Sequence, residues 1–149
     1  MYISLSDVSL ETYKQLVSAS LQIIKKAKTH FKHDDDYLND LVQMRLIDDM
    51  APLSFQVYSI VHHSVGAIEG ILNGKFSPPK VPHNLNFGDL IKLLEKAEKD
   101  LNKFSEDRIN SCSKKEVVFK MGQIEWVFSA EDFIPVSYTH LTLPTNDQV

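Results

Sequence analysis

Apolar residues recur at three- and four-residue intervals in three segments of the chain, with polar and charged residues between them. These segments extend from Leu10 to Phe31, from Pro52 to Leu72 and from Phe87 to Phe104. Because this spacing places the apolar side chains on one helical face, the sequence predicts three amphipathic helices. Gly74 ends the second helix, since glycine readily adopts the left-handed conformation that commonly follows a helix.

The residues before the second helix, Tyr37 to Met50, are expected to form a short-helical or irregular connector. Pro52 suits the first helical position, where a missing N–H removes no hydrogen bond. Asp49 lies three residues earlier, and its carboxylate is predicted to cap the free N–H groups of the helix start. Arg45 either ties the connector down by pairing with an acid or binds substrate at the mouth of the bundle. The charged run from Lys32 to Asp36 predicts a solvated turn, with a cation site as the alternative.

The pattern changes period after the third helix. Residues 116–119 and 124–128 are short β-branched and aromatic runs on either side of a segment that contains Gly122. This arrangement predicts a β-hairpin. Ser129 then caps a new helix start, which has two acidic residues in its first turn, where the helix dipole favours anions. The helical pattern stops near Pro135, so we predict a fourth helix that is largely missing.

The C-terminal segment, residues 136–149, has no helical period. Residues 136–145 match, one for one, a translation of the transposase adapter used in shotgun sequencing libraries, and the codon required at Pro135 agrees. We therefore predict an adapter-derived, non-native tail at residues 136–149, attached to a truncated single domain at residues 1–135. A genuine C-terminal strand is the alternative, and an independent read of the gene decides between the two.

Composition narrows the class of protein. The chain has 149 residues, with 16 lysines and arginines, 20 aspartates and glutamates, and a net charge of −4. Without a basic patch, nucleic acid and anionic membranes are poor partners, and no apolar run approaches the roughly 18 residues of a membrane span. The first residues lack the features of a secretion signal, and the single Cys112 forms no intramolecular disulfide. We therefore expect a cytoplasmic protein.

The connector and the start of the second helix carry the most specific motif of the chain. Residues 44–57 read MRLIDDMAPLSFQV and resemble the "aRLapDMfPLxxQV" signature of an uncharacterised domain-of-unknown-function family, found in bacteria and fungi, within the DinB-like superfamily. Weaker similarities lie at residues 5–7, 72–74 and 120–133, so the resemblance extends over most of residues 2–134. It implies an all-α fold, an up-down four-helix bundle with a small β-hairpin before the fourth helix.

The resemblance also implies a cofactor and an activity. Better-known members of the DinB-like superfamily hold a divalent metal with three histidines, one on the second helix and two on the fourth, and some transfer low-molecular-weight thiols. Zinc or nickel is therefore the implied cofactor. His62 and His63 are the candidate ligands on the second helix. Adjacent helical residues point about 100° apart, so at most one of the two faces the core.

His62 lies nearer the apolar stripe of the second helix, and His63 lies nearer its flank. For both, a surface-facing or simply hydrogen-bonded histidine is the alternative to a metal ligand. The first ligand of the superfamily falls closer to Gln56, which is a poor metal ligand, so Gln56 and Arg45 are candidate substrate-binding residues. His140 belongs to the excluded tail and is not assigned to the site.

Two classes of function follow from this resemblance. One is a metal-dependent, thiol-transferase-like enzyme that acts on a small molecule, or a degenerate relative of such an enzyme. The other is a non-catalytic, oligomeric bundle that binds a small ligand or a partner protein, with a homodimer as the expected assembly. Loss of the usual second-helix ligand favours the second class, and the apolar groove left by a missing helix would favour association.

Overall fold

Helices dominate the structure, and one small β-sheet accompanies them. The structure, a computed structural model, describes residues 3–32 and 34–142, and of residues 140–142 it describes the backbone alone. In these ranges the α-helices are α1 (Thr12–His30), α2 (Asp35–Val42), α3 (Leu53–Val61), α4 (Ala67–Asn73), α5 (Phe87–Leu101), α6 (Glu106–Asn110) and α7 (Ala130–Thr142). The strands are β1 (Lys75–Phe76), β2 (Glu116–Met121) and β3 (Ile124–Ser129). Two π-helical turns are also present, at Asp7–Glu11 and His62–Gly66.

The first predicted helix is confirmed as α1, which packs along α5. Its buried side chains repeat at intervals of three or four residues and are Tyr13, Val17, Leu21 and Ile24. The chain is already helical before α1, because Ser4 and Asp7 bond reciprocally. The Ser4 N–H donates to Asp7 Oδ2 at 2.9 Å, and the Asp7 N–H donates to Ser4 Oγ at 3.2 Å. This arrangement satisfies two N–H groups in the manner of a capping box.

The second predicted helix is confirmed as a continuous rod of residues 53–73, in which the π-helical turn joins α3 to α4. Pro52 is the N-cap residue of this rod rather than its first helical residue, and no side-chain hydrogen bond caps the start. Asp49 lies exposed in the preceding turn, and among the described residues it forms no hydrogen bond that caps this helix start. The rod ends as predicted at Gly74, whose φ is +76°.

Two short helices occupy segments that lack a long apolar period. α2 lies in the connector, and Asp34 of the preceding charged run is its N-cap, accepting a hydrogen bond from the Tyr37 N–H at 3.1 Å. The charged run therefore separates α1 from α2 and also starts α2. α6 lies in the polar segment that follows α5, and it buries Ile109.

The third predicted helix is confirmed as α5, which packs against α1 and α3. Its start is a capping box, in which Asn86 Oδ1 accepts from the Asp89 N–H at 2.9 Å and Asp89 Oδ2 accepts from the Asn86 N–H at 3.2 Å. A surface ion pair between Lys25 and Glu95, at 2.7 Å, joins α1 to α5.

The predicted hairpin is confirmed by antiparallel pairing of β2 with β3. Its two-residue loop contains Gly122 at φ +62°, a conformation that carries no Cβ penalty in glycine. A third strand, β1, pairs with β2 in parallel and completes the sheet in the order β1-β2-β3. The sequence pattern does not indicate β1, because a two-residue strand is too short to show a period.

α7 follows the capped start that was predicted at Ser129, and it continues through Pro135 to Thr142. The prediction that the fourth helix largely ends near Pro135 is therefore not confirmed. Packing outweighs the missing period here, since Ser137 is buried and bonds to the rod. The adapter origin of the tail is a property of the gene and stays a prediction, and residues 143–149 of that tail lie outside the described residues.

One hydrophobic core joins the helices and the sheet. α7 packs against the π-helical turn and α4, and the rod also packs against α5. The largest fully buried side chains are Tyr13, Phe133, Leu10, Leu38, Ile68, Ile71, Leu90, Leu94, Leu101, Ile109, Ile134 and Val17. Within the described residues, none of the helices combines the length and the apolar character that a membrane crossing requires.

Candidate functional site

A surface cleft of about 640 Å³ lies between the rod and the small sheet. One face of the rod forms its first wall, and β1 with neighbouring positions of β2 and β3 forms the second. We call it the histidine cleft, and its lining residues are His62, Gly66, Glu69, Gly70, Asn73, Lys75, Phe76, Ser77, Val118, Lys120 and Glu125. Its volume is in the range of small-molecule binding sites.

Two glycines of the rod shape the histidine cleft in different ways. A Cβ at Gly70 would lie 3.2 Å from Phe76 Cδ2 and 3.4 Å from the Lys75 carbonyl oxygen, so β1 approaches closely only because Gly70 has no side chain. A Cβ at Gly66 would meet His62 Nδ1 at 3.4 Å and Phe76 Cε2 at 3.7 Å, which are ordinary contacts. Gly66 therefore leaves room for a methyl group beside the His62 imidazole and is not needed to avoid a clash.

His62 is the predicted site residue that lines the histidine cleft. Its Nε2 lies 2.7 Å from the Ser77 carbonyl oxygen. Since a carbonyl only accepts, Nε2 carries the proton and donates it. Burial lowers the pKa of this imidazole, and the hydrogen bond to Ser77 opposes that shift only in part. The neutral ring then keeps a lone pair on Nδ1, which lies beside Gly66.

His63 points into the interior, where only 7% of it is exposed. Its Nδ1 lies 3.3 Å from Ser137 Oγ of α7, and the Ser137 hydroxyl donates to the His63 carbonyl oxygen at 3.1 Å. Because that hydroxyl has a single proton, the ring must donate from Nδ1. The inner histidine is thus His63, whereas the apolar stripe placed His62 nearer the core. Both histidines lie at the start of the π-helical turn, whose i→i+5 hydrogen bonds contain one residue more than an α-turn and shift the helical phase of the residues that follow.

Tyr13 adds a third polar group to the interior. Its hydroxyl is buried near Ser137, without a hydrogen bond of good geometry to any described residue, and burial raises the pKa of the phenol. Tyr13, His63 and Ser137 come from α1, the rod and α7, and we call them the interior cluster.

Arg45 and Gln56, the predicted substrate-binding residues, both bond to the connector backbone. Arg45 Nη1 donates to the Met50 carbonyl oxygen at 2.9 Å, and Gln56 Nε2 donates to the Ala51 carbonyl oxygen at 3.3 Å. Neither residue lines the histidine cleft. The bond from Arg45 to Met50 agrees with the predicted alternative in which Arg45 holds the connector in place, and the acceptor in this bond is a backbone carbonyl.

The described side chains do not assemble the three-ligand metal centre that the resemblance implies. Among them, no group of three histidine, cysteine, aspartate or glutamate side chains is placed to hold a metal ion. His62 and His63 face different surroundings, and the Ser137 hydroxyl lies against the His63 ring. A neutral hydroxyl is a weak ligand for zinc or nickel compared with imidazole or thiolate. The side chain of His140 lies outside the described part of the chain, and metal binding stays a prediction.

Charged side chains of the histidine cleft form one tight pair. Lys120 Nζ lies 2.9 Å from Glu125 Oε1, and this contact lowers the pKa of Glu125, with a smaller contribution from the nearby charge of Lys75. Glu69 and Lys75 line the same cleft, and neither forms an ion pair with a described residue. Opposite charges are thus present in the cleft without being paired to each other.

The sequence pattern indicated His62 but not the remainder of the histidine cleft. The available signal was the four-residue spacing of Gly66, Gly70 and Gly74, which puts small residues along one side of the rod. Such spacing permits close approach of another backbone but does not say which one approaches. Phe76 occupies that position through β1, whose pairing with β2 is decided by residues about 40 positions away.

The arrangement of helices and sheet matches a known class of fold. A solved structure described as a DinB family member protein from Shewanella denitrificans aligns with a TM-score of 0.63 and 17% identity, covering 93% of this chain and 80% of that chain. The fold is therefore DinB-like, mostly helical with a small sheet. The model of the family described as "Domain of unknown function (DUF1993)" matches residues 5–143, and the chain belongs to that family. A comparison with curated proteins found no match.

Proposed function

We propose that this DinB-like protein binds a small molecule in the histidine cleft and is a degenerate relative of the metal-dependent enzymes of its superfamily. The observation that carries the proposal is the His62 imidazole on the wall of the cleft, which is fixed through Nε2 and keeps its Nδ1 lone pair beside Gly66. A fixed polar group on the wall of a cleft with an aromatic ring is typical of small-molecule sites.

The degenerate character is supported by Gln56, a poor metal ligand close to the position where the first ligand of the superfamily falls. Its side-chain amide donates to the Ala51 carbonyl oxygen at 3.3 Å. We further infer that the rod, α1, α5 and α7 are the four helices of an up-down bundle, which is supported by the packing of α1 on α5 and of α7 on the rod.

The binding proposal is tested by filling the cleft. Val118 lines the histidine cleft, whereas Ile124 lies on the opposite face of the hairpin and is 52% exposed. Val118→Trp should therefore obstruct the cleft, and Ile124→Trp is an exposed control on the neighbouring strand. We expect small organic fragments to shift backbone amide resonances of cleft residues in the wild type and in the control, and not in Val118→Trp. Fragment shifts of equal size in all three proteins would overturn the proposal.

A metal-dependent enzyme, as in the thiol-transferase-like prediction, is the second candidate. It is favoured by one observation, the availability of a neutral imidazole nitrogen at His62, since neutral imidazole is the form that binds zinc and nickel. Elemental analysis of protein purified with either metal separates the candidates. Stoichiometric metal that is lost in His62→Gln or His63→Gln would support the enzyme, whereas metal-free folded protein would support the degenerate relative.

The expected homodimer stays a proposal, and the exposed apolar side chains of β3 support it. Ile124, Trp126 and Val127 are 52%, 41% and 59% exposed on an edge strand, and such edges can pair with a second chain. Light scattering coupled to size exclusion measures the mass directly. We expect a dimer in the wild type and a shift toward monomer in Val127→Lys, and a wild-type monomer at all concentrations would exclude this assembly.

A further inference from the structure

We infer that β3 pairs in antiparallel orientation with β3 of a second copy of this chain, about a two-fold axis at Val127. This inference rests on the homodimer proposed above and adds the surface and the register through which the two copies meet. It is drawn from the open edge of the sheet, since within the described residues β3 pairs only with β2. A free strand edge presents backbone N–H and C=O groups that a second strand can satisfy.

The hairpin register decides which backbone groups of β3 face the open edge. The loop has two residues, so Ile124 belongs to the hydrogen-bonded pair that closes the hairpin, and the even-numbered positions continue this pattern. The Ala130 N–H accordingly donates to the Lys115 carbonyl oxygen at 2.8 Å. The backbone N–H and C=O groups of Glu125 and Val127 alternate with these positions and point to the open edge.

The open edge lacks the features that keep most free strands from pairing. Such strands are usually protected by lysine, proline or a bulge. β3 contains neither of these residues, and its register with β2 is continuous through six pairs. Trp126 and Val127 are 41% and 59% exposed, and Glu125, the one charged residue of β3, is already paired with Lys120 at 2.9 Å. A regular, accessible and weakly charged edge of this kind indicates a strand partner.

The residues of β3 complement themselves in one register. With the axis at Val127, the opposed pairs are Val127 with the partner's Val127, Trp126 with the partner's Phe128, and Glu125 with the partner's Ser129. Each pair matches apolar with apolar or polar with polar, and such directly opposed pairs stabilise a sheet. An axis at Trp126 would set the Glu125 carboxylate against the partner's Val127, and an axis at Glu125 would oppose two carboxylates. This self-complementarity favours a second copy over an unrelated strand.

The same register satisfies the backbone groups of the open edge. The two Val127 residues exchange both of their backbone hydrogen bonds, and each Glu125 carbonyl oxygen accepts from the partner's Ser129 N–H. Because both copies use the same edge, the contact is isologous and closes at two chains rather than growing into a filament.

A row of aromatic rings crosses the sheet and ends at the open edge. Phe76 stacks on Phe119 with 5.9 Å between the ring centroids, and Phe119 stacks on Trp126 with 5.6 Å. Trp126 is the single tryptophan of the chain and the most exposed ring of this row. In the dimer it packs against the partner's Phe128, so its fluorescence reports on the contact.

Cysteine cross-linking tests the register in the full chain. Val127→Cys is made in a Cys112→Ser background, with Ile124→Cys as a control of similar exposure. Directly opposed strand residues lie within the Cα separation that a disulfide needs, whereas the two Ile124 positions would lie on the order of 20 Å apart along the antiparallel strands. Mild oxidation should therefore convert Val127→Cys, and not Ile124→Cys, into a covalent dimer on a denaturing gel.

Tryptophan fluorescence tests the contact without a cross-link. As the concentration of the wild type rises, the Trp126 emission should move to shorter wavelength, because the partner strand removes the indole from water. Val127→Lys should abolish this shift, since it opposes two ammonium groups at the axis. Ile23→Lys should keep the shift, because it replaces a similarly exposed side chain on α1.

The outcomes separate this contact from the homodimer itself. A wild-type dimer in light scattering, combined with no cross-linking of Val127→Cys or with equal cross-linking of Ile124→Cys, would overturn the β3 contact and leave the homodimer in place. A concentration-dependent emission shift that persists in Val127→Lys would have the same meaning. A wild type that is monomeric at all concentrations would overturn both.

Discussion

Two adjacent histidines of one helical rod lie in opposite environments. His63 belongs to the interior cluster and donates to a buried serine hydroxyl, whereas His62 lines the histidine cleft and bonds to an exposed loop carbonyl. The same residue type is therefore a structural hydrogen-bonding group on one face of the rod and an accessible polar group on the other. The environment of a histidine in a helix is therefore decided by the phase of the helix relative to its neighbours, and the residue type alone does not predict its role.

The largest expected effect comes from Phe76, whose ring separates the two environments. It packs against His62 at 4.6 Å, against His63 at 5.5 Å and against Phe133 at 4.9 Å between ring centroids. Phe76→Ala should lower the free energy of unfolding by about 3–5 kcal/mol through lost burial and a cavity. Urea unfolding measures this change, with the half-exposed Tyr37→Ala as a control. Equal losses in the two variants would show that Phe76 is not part of the core.

The histidines themselves provide the next comparison. His63→Ala should destabilise the protein by about 2–4 kcal/mol, because it leaves a cavity and removes a buried partner of Ser137. His62→Ala should lose only about 1 kcal/mol, since it removes one partly exposed hydrogen bond. Both values come from urea unfolding curves with matched slopes. A larger loss for His62→Ala would contradict the assignment of His63 as the inner histidine.

Substitution by alanine should change the stability of the protein in opposite directions at the two cleft glycines, Gly66 and Gly70. Gly70→Ala should destabilise by about 1–3 kcal/mol, because its Cβ would press on Phe76 and the β1 backbone. Gly66→Ala should leave stability unchanged or raise it by up to about 1 kcal/mol, since alanine favours the helix and makes no close contact there. The thermal unfolding temperatures of the Gly70→Ala and Gly66→Ala variants, each compared with the wild type, test this prediction. Destabilisation of Gly66→Ala would mean that this wall of the cleft is already filled.

The smallest expected effect is a pH dependence that belongs to His62. Its folded-state pKa is lowered from the ordinary 6.5, mainly by burial, so the unfolded chain takes up the proton first as the pH falls. The resulting stability is complete above the unfolded-state pKa and is lost as the pH falls below it. Urea midpoints at about pH 7.5 and about pH 5.5 should therefore differ more in the wild type than in His62→Gln. Equal pH dependence in the two proteins would mean that the imidazole titrates as it does in water.

Local sequence signals were sufficient to predict most of the long helices. The apolar periods predicted α1, the rod and α5, since each of these helices buries one face of its own residues. Ser129 and the acids after it predicted the start of α7. The short β-branched and aromatic runs on either side of the segment that contains Gly122 predicted β2 and β3. In each case the physical cause lies within a few residues of the feature.

Other features depended on contacts between distant residues. The motif around Arg45 was recognisable, but the position of one acceptor, the Met50 carbonyl oxygen, depends on the path of the connector. The extension of α7 to Thr142 depends on burial of Ser137 against the rod, which outweighs the absence of an apolar period.

The sequence by itself determined three amphipathic helices with their approximate limits, the start of the last helix, the hairpin, the acidic charge balance and, through residues 44–57, the family. Only the tertiary structure decided which histidine is inside and what the other one faces. A π-helical turn shifts the phase of the rod, and β1 joins the sheet through pairing with residues far along the chain. Neither effect leaves a local period in the sequence, because both are stabilised by packing between segments that are distant in the chain.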